Sequence, residues 1–346
     1  MSTPAFNNNT YVPEVQQNLL VSYSRNPSKF PLNKYIQIVP VKKQAGYYTK
    51  MTRDEAGRVL ETDGKDRLWN DGADRPSHAN ETEQHDFVLY GCKRRNFGYT
   101  IGKLAQEQAV FDVKAHAAGT AAEKAMRLRT QLMATVMTTT GNYDTGHYSA
   151  VASISGNSGK WDESTTARSD IKRSLHYAAE LIMKNTLNAV EPEDLRLILS
   201  AGAARKIAQT QEIIDYLKGA AGDALAQIRG EGKNAMFGLP DRLYGYEVVV
   251  ESTYKTTTRK GASSTTKSSI FGDTNAVMCS RVGALTDERA SEAASFSSFT
   301  MFTYEEMTVE EFDDTRNRRI EGHVTEDYDM VFTAPASAFL FTSIVN

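Results

Sequence analysis

The apolar positions of this chain change period along its length, and those changes divide it into stretches of different kinds. Residues 1–34 show no period. Pro4, Pro13, Pro27 and Pro31 surround the polar run Asn7, Asn8 and Asn9, and only Leu19, Leu20 and Val21 form an apolar patch. Proline removes backbone donors and blocks helix continuation, so this stretch reads as an extended arm or a loose terminus. Ile36, Ile38 and Val41 then predict one strand, with Pro40 marking an edge or a bulge. Phe87 and Leu89, followed by Phe97, Tyr99 and Ile101, alternate as strands do. Between them Thr52 to Gln84 is polar and charged and carries Gly57, Gly64, Gly72 and Pro76. Two strands bracketing such a segment cannot bury a core alone. The hairpin over 35–101 therefore has to lie on its own domain or on a neighbouring copy.

A helical period follows. Phe111, Ala115, Ala118, Ala122, Ala125, Leu128, Leu132 and Val136 recur at spacings of three and four, predicting a helix over about 104–137. Its length would be roughly 50 Å. Glu123 and Arg127 stand as an i,i+4 ion pair, and Gly119 marks a kink or a close contact. Residues 138–160 are rich in Gly, Ser and Thr and read as a loop. Ser169 is placed to cap a helix to Asn185, with Ile171, Leu175, Ala178 and Ile182 on one face. Leu195 to Leu199 is a buried strand, and Ser200 caps a helix running to about Lys218. Beyond it the period turns to β at Tyr246–Val250, Ala276–Val282, Phe296–Tyr304 and Asp327–Phe332, with an apolar end at Phe339, Leu340 and Phe341. Thr253–Ser269, dense in Lys, Thr and Ser, reads as a surface linker. The fold class is α+β.

Composition narrows the function classes. With 346 residues and 40% apolar content the chain can bury a real core in two domains, or in one domain with long extensions. A net charge of −3 excludes wrapping nucleic acid by bulk charge neutralisation. Cys92 and Cys279 allow at most one disulfide, so no disulfide framework holds the fold. No apolar run is long enough to span a bilayer, and the first residues lack the basic start and apolar middle of a signal peptide. The expectation is a soluble protein assembled in the cytoplasm.

Candidate chemistry is thin. The Gly159–Lys160 and Gly232–Lys233 pairs fail the phosphate-loop pattern, at Ile154 and Trp161 in one case and at Gln227 and Asn234 in the other. His78, His85, His116, His147, His176 and His323 show no zinc-ligand spacing, and no nucleophile elbow surrounds Ser155 or Ser158. Asp63, Asp66, Asp71 and Asp74 cluster with Gly64 and Gly72 but lack the calcium-loop pattern. No catalytic residue, metal ligand or cofactor is assigned, and the chain is expected not to be an enzyme. The charged runs suit contacts between subunits better. Glu305, Glu306, Glu310, Glu311, Asp313 and Asp314 precede Arg316, Arg318 and Arg319, one sign followed by the other, as a register-setting contact or a solvated face would be. Lys93, Arg94 and Arg95 could meet a neighbour's carboxylate, water or nucleic acid. Together with Arg67, Asp71, Asp74 and Arg75 in the polar hairpin, these are the candidate interface residues.

Several short segments, in order, resemble the major capsid proteins of tailed bacteriophages with the Hong Kong 97 fold. They are Lys160-Trp161-Asp162 followed by Ser169-Asp170-Ile171, then Glu191–Ser200 (EPEDLRLILS) and Glu212–Lys218 (EIIDYLK). Phe237–Leu239 with Gly245–Val250, Ile270–Met278 and Asp327–Ala338 complete the series. The motifs cover about half of the chain, and the first half matches only in plan. The resemblance implies an N-terminal arm (1–34), an extended loop (35–100), a peripheral domain with a spine helix (101–164 and 296–346) and an axial domain (165–295). It implies a major capsid protein that assembles with itself as hexamers and pentamers of an icosahedral shell around a double-stranded DNA genome. The extended loop is expected to lie over the adjacent subunit and the arm to reach another. Implied partners are a scaffolding protein, since no scaffolding-like segment precedes the arm, a portal protein at one vertex, a decoration protein and packaged DNA held without sequence specificity. The expected location is the virion, after assembly in the host cytoplasm. Readings of other kinds are an encapsulin-like compartment around cargo proteins, a phage tail or head-completion ring, and a hydrolase on an unrelated α+β fold.

Overall fold

A run such as Leu195-Arg-Leu-Ile-Leu does not alternate as a half-exposed strand would, and the structure gives the reason: both faces of this strand are covered. The computed structural model describes residues 30–51, 71, 85–109, 111–219, 234–280 and 297–346. Its elements run β1 (Gln37–Pro40), β2 (Ala45–Met51), β3 (His85–Gly91), β4 (Lys93–Gly102), α1 (Lys103–Gln108), α2 (Val113–Thr138), β5 (Tyr148–Ala150), α3 (Asp170–Asn185) and β6 (Leu195–Ser200). They continue α4 (Ala201–Ala208), α5 (Gln211–Gly219), β7 (Arg242–Leu243), β8 (Tyr246–Glu251), β9 (Tyr254–Thr256) and β10 (Lys267–Ser269). The last are β11 (Ala276–Ser280), β12 (Phe299–Asp314), β13 (Arg319–Phe332) and β14 (Ala338–Thr342).

A six-stranded mixed sheet in the order β5-β14-β11-β6-β8-β7 forms the centre. Leu195, Leu197, Leu199, Val248, Val250, Met278, Phe339 and Phe341 point to one face and pack with Ile171, Leu175 and Ile182 of α3 and Ala204 and Ile207 of α4. Ile198, Val249, Val277 and Leu340 point to the other, against Met133, Ala134 and Met137 at the end of α2 and Leu32 and Ile36 from the chain before β1. A strand buried on both faces reads as a continuous apolar run. Burial of such side chains at roughly 1.5–3 kcal/mol each makes this two-sided core the main source of stability.

A second sheet runs β1-β12-β13-β4, with β1 parallel to β12 and the other pairs antiparallel. Pro40 lies on its edge strand, where a missing donor is tolerated. Helix α2 crosses this sheet, packing Ala121 and Ala125 on Val324. The small residues along α2 let helix and sheet backbones approach.

Five expectations change. The helix expected over 104–137 is two helices. Ala109 is extended, and Asp112 starts α2 by accepting from the Ala115 amide at 3.0 Å. The helix expected from Ser200 to Lys218 also divides, with Thr210 capping the start of α5, while Ser200 caps α4 as expected. Ser169 does not cap α3. Its φ is 50° and its hydroxyl donates to the Thr166 carbonyl, while the Ile171 and Lys172 amides donate to the Glu212 carboxylate at 3.1 and 2.9 Å. Finally, Thr253–Ser269 is a short hairpin, β9 with β10, and the charged run 305–319 continues β12 into β13. Most of the arm, the polar segment 52–84 apart from Asp71, and residues 220–233 and 281–296 lie outside the described residues.

Candidate subunit interface

The two-stranded ribbon β2–β3 sorts its side chains strictly by face. Tyr47 stands opposite Leu89 and Thr49 opposite Phe87, while Tyr48 faces Val88 and Gly46 faces Tyr90 on the reverse side. The reverse side is seated on the four-stranded sheet. The Tyr90 ring stacks on Phe302 with centroids 4.5 Å apart, and Tyr48 lies 5.5 Å from the same ring. The close fit uses Gly46, because a Cβ at that position would stand 2.6 Å from the Tyr90 hydroxyl and would have to push that ring aside. Polar ties fix the base. The Gly91 amide donates to Asp329 at 3.0 Å, and the Gln44 side chain donates to Asp327 at 2.6 Å. Burial, with Asp329 nearby, pushes the Tyr48 hydroxyl up. The obverse face has no cover in the described chain: Tyr47 is 70% exposed, Phe87 71% and Leu89 61%. An apolar face presented on a ribbon two strands wide is the mark of an interaction surface.

Beneath the ribbon the sheet encloses charges of its own. Arg129 of α2 meets Glu326 of β13 at 2.6 Å, and Glu326 is 1% exposed. Two guanidinium groups approach the Tyr328 ring, Arg95 at 4.1 Å and Arg129 at 5.5 Å from its centroid. Its hydroxyl is pushed well up by burial and by Glu326, with both arginines opposing. The basic triplet is therefore not one patch. Arg95 turns to the helix side of the sheet, where it also donates to the Tyr328 carbonyl at 2.8 Å. Arg94 pairs with Glu305 at 3.2 Å and approaches Asp327 at 3.9 Å. Lys93 is exposed and has no carboxylate partner among the described residues.

The acidic-then-basic run is a hairpin whose strands satisfy much of their own charge. Glu311 accepts from Lys114 at 3.0 Å and from the Tyr99 hydroxyl at 2.9 Å. These bonds hold its carboxyl below the usual range, and burial with the same contact raises Tyr99 to about 12. Asp313 meets Lys103 at 2.7 Å, and Arg319 bridges Asp314 at 2.9 Å and Glu321 at 2.5 Å. Asn317, and then Arg319, hold Asp314 low. Glu310, Arg316 and Arg318 stay exposed with no ion-pair partner among the described residues, beside the exposed Val309 and Phe312. Asp71 is an exposed turn residue, and Arg67, Asp74 and Arg75 lie outside the described residues. Sequence reasoning found Phe87 and Leu89 as strand residues but not as an exposed surface, and it passed over Tyr47; the cross-strand register supplies the missing signal.

Among the described residues no group of three His, Cys, Asp or Glu is arranged to hold a metal ion. A shallow open notch is lined by Ile36, Met133, Val136, Phe299, Thr300, Met330 and Val331, none of them titratable. No helix of the described chain is long and apolar enough to cross a membrane.

No protein-family model matches the sequence, and neither does any curated protein. Solved structures do match, along nearly the whole chain. A phage-related protein from Bordetella bronchiseptica RB50 superposes with a TM-score of 0.58 at 14% identity, covering 92% of this chain and 93% of that one. The capsid of the cyanophage P-SCSP1u gives 0.57 at 11% identity, over 95% and 92%. An encapsulin complex from Synechococcus elongatus PCC 7942 gives 0.54 at 9% identity, also over 95% and 92%. The chain has the Hong Kong 97-type fold of tailed-phage capsid proteins.

Proposed function

We propose that this protein is the shell-forming subunit of a bacteriophage capsid, assembling as hexamers and pentamers around double-stranded DNA. The observation that carries this reading is the uncovered apolar face of the β2–β3 ribbon on a chain with a capsid fold. The adjacent copy in the ring covers Tyr47, Phe87 and Leu89, so that each subunit's ribbon (part of an extended loop over 35–100) clasps its neighbour. Each ring is then a head-to-tail assembly closed by rotation. The arm over 1–34 reaches a further copy. Residues 101–164 and 296–346 form the peripheral domain, and 165–295 form the axial domain at the ring centre. The charges Lys93, Glu310, Arg316 and Arg318, which have no ion-pair partner among the described residues, border contacts between subunits, as do Arg67, Asp71, Asp74 and Arg75. Its role is structural rather than catalytic. A separate scaffold, a portal at one vertex and a decoration protein are its expected partners, in the host cytoplasm and then in the virion.

An encapsulin-type compartment is the second reading, favoured by the match to an encapsulin complex at a similar TM-score. Negative-stain microscopy of the protein expressed alone, and with the product of a neighbouring scaffold-like gene, separates the two. Closed shells that become regular only with scaffold support the capsid reading. Regular shells formed alone and loaded with a cargo protein support the compartment. Small rings or tubes in both preparations would overturn both readings.

A further inference from the structure

Residues 252–272 contain Lys255, Arg259, Lys260 and Lys267 and no Asp or Glu, in a chain whose net charge is −3. They form the β9–β10 hairpin, paired through Lys267↔Thr256, Ser268↔Lys255 and Ser269↔Tyr254. The Thr257 amide donates to the Thr266 carbonyl at 3.0 Å, and the tip turns where the Ala262 amide donates to Arg259 at 3.3 Å, with Gly261 at φ 89°. Arg259, Lys260 and Lys267 are exposed and Lys255 is half-buried. None of the four has a carboxylate partner among the described residues, in contrast to the charged β12–β13 hairpin.

The position of the hairpin is fixed. It leaves the end of β8 on the face of the central sheet that carries α2. There Ile270 and Phe271 join the cluster of Met133 and Met137, and the Tyr254 carbonyl accepts from Arg127 at 3.2 Å. Its chemistry is one-sided. From Lys255 to Ser269 the only apolar side chain is Ala262, and nine of the residues are Ser or Thr. A protein contact of useful strength needs buried aromatic or aliphatic anchors, which this segment lacks. Contact with a phosphodiester backbone needs cations and hydroxyl or amide donors without apolar anchors.

We propose that the β9–β10 hairpin is a sequence-independent contact for nucleic-acid phosphates, which makes the α2 face of the subunit the one turned towards the genome. The proposal rests on the capsid reading for its setting. It does not conflict with the acidic whole chain, because it needs one cationic projection per subunit, repeated across a shell.

The test uses the full-length subunit and a short mixed-sequence DNA duplex, read by fluorescence anisotropy over a salt series. The variant is K255Q/R259Q/K260Q/K267Q. The control removes four cations from the helices on the opposite face of the central sheet, K172Q/R173Q/K184Q/R205Q. The expected result is that the hairpin variant binds at least about tenfold more weakly at low salt and lowers the slope of log affinity against log salt by about 3 to 4, while the control keeps the wild-type slope. The hairpin variant should also still form wild-type shells by electron microscopy. Equal binding by wild type and hairpin variant, equal loss in the control, or no binding by wild type would overturn the proposal. So would a hairpin variant that binds DNA normally but no longer assembles, because the hairpin would then be a contact between copies. Absence of shells from wild type would contradict the capsid reading alone, and hairpin-dependent duplex binding would still stand.

Discussion

Tyr90 stacks on Phe302 with ring centroids 4.5 Å apart, and this pair holds one face of the β2–β3 ribbon on the sheet while the other face is turned out. Tyr48 meets the same Phe302 ring at a longer 5.5 Å, so the aromatic contacts of the ribbon converge on one residue and the stacked Tyr90 is the nearer of the two. Tyr90→Ala should therefore release the ribbon without unfolding the protein. Hydrogen exchange of the amides of 45–51 and 85–91 should speed up by at least about tenfold, with core amides unchanged. Gly46→Val should act in the same direction by pressing on the Tyr90 hydroxyl. Unchanged ribbon exchange in both variants would show that the stack does not hold it.

Glu212 ties α5 to the start of α3. Its carboxylate accepts from the Ile171 and Lys172 amides, the Ser164 hydroxyl and the Tyr244 hydroxyl, the last at 2.9 Å. Glu212→Ala strips several buried donors of their acceptor and should destabilise the protein by about 3 kcal/mol, measured by urea denaturation. Ser169→Ala, at the position the sequence marked as the cap, should change stability by less than about 0.5 kcal/mol. The reverse ranking would contradict this assignment.

The buried pair Arg129–Glu326 predicts strong non-additivity. Arg129→Met leaves a carboxylate buried without its cation and should cost about 3–5 kcal/mol. Arg129→Met with Glu326→Met removes both charges and should recover a large part of that loss. A double variant as unstable as the sum of the singles would show that the two groups do not act as a pair.

Glu251 sets a pH dependence. It is buried at the end of β8, where it accepts from the Leu32 amide at 3.3 Å and the Thr253 amide at 2.8 Å, and burial outweighs these bonds to raise its carboxyl. A raised folded-state pKa means that the native protein holds the proton more tightly than the unfolded chain. That contribution is complete below the ordinary glutamate range and is lost as pH rises through the folded value. Relative to Glu251→Gln, the wild type should therefore lose stability as pH rises from acidic towards neutral. A difference that stays constant with pH, or changes the other way, would rule out the assignment.

What could be read from sequence follows how local the cause is. Strand β6 and the Ser200 cap are legible because a continuous apolar run and a capping hydroxyl act within a few residues. The Glu123–Arg127 pair is legible for the same reason. The α3 cap is not legible in the sequence, because the group that satisfies its amides comes from α5, a partner supplied by the tertiary fold. The outer part of β12 went unseen because its strand character rests on the ladder to β13, from Thr308↔Thr325 to Asp314↔Arg319, and not on an apolar alternation. In the candidate interface, charge runs drew attention to Arg94, Arg95, Glu311 and Arg319, which the subunit engages internally. The exposed Tyr47, Phe87 and Leu89 stood out only once cross-strand register separated the two faces of the ribbon.

The central claim is that this outward face joins one copy to the next. Replacing Tyr47, Phe87 and Leu89 together with serine removes about 1.5–3 kcal/mol of apolar burial per side chain at each contact and leaves the subunit core untouched. The decisive measurement is electron microscopy and sedimentation of this triple variant beside the wild type under assembly conditions. The account predicts closed shells from the wild type and folded, unassembled subunits or small oligomers from the variant. Shells of normal size and yield from the variant would contradict it.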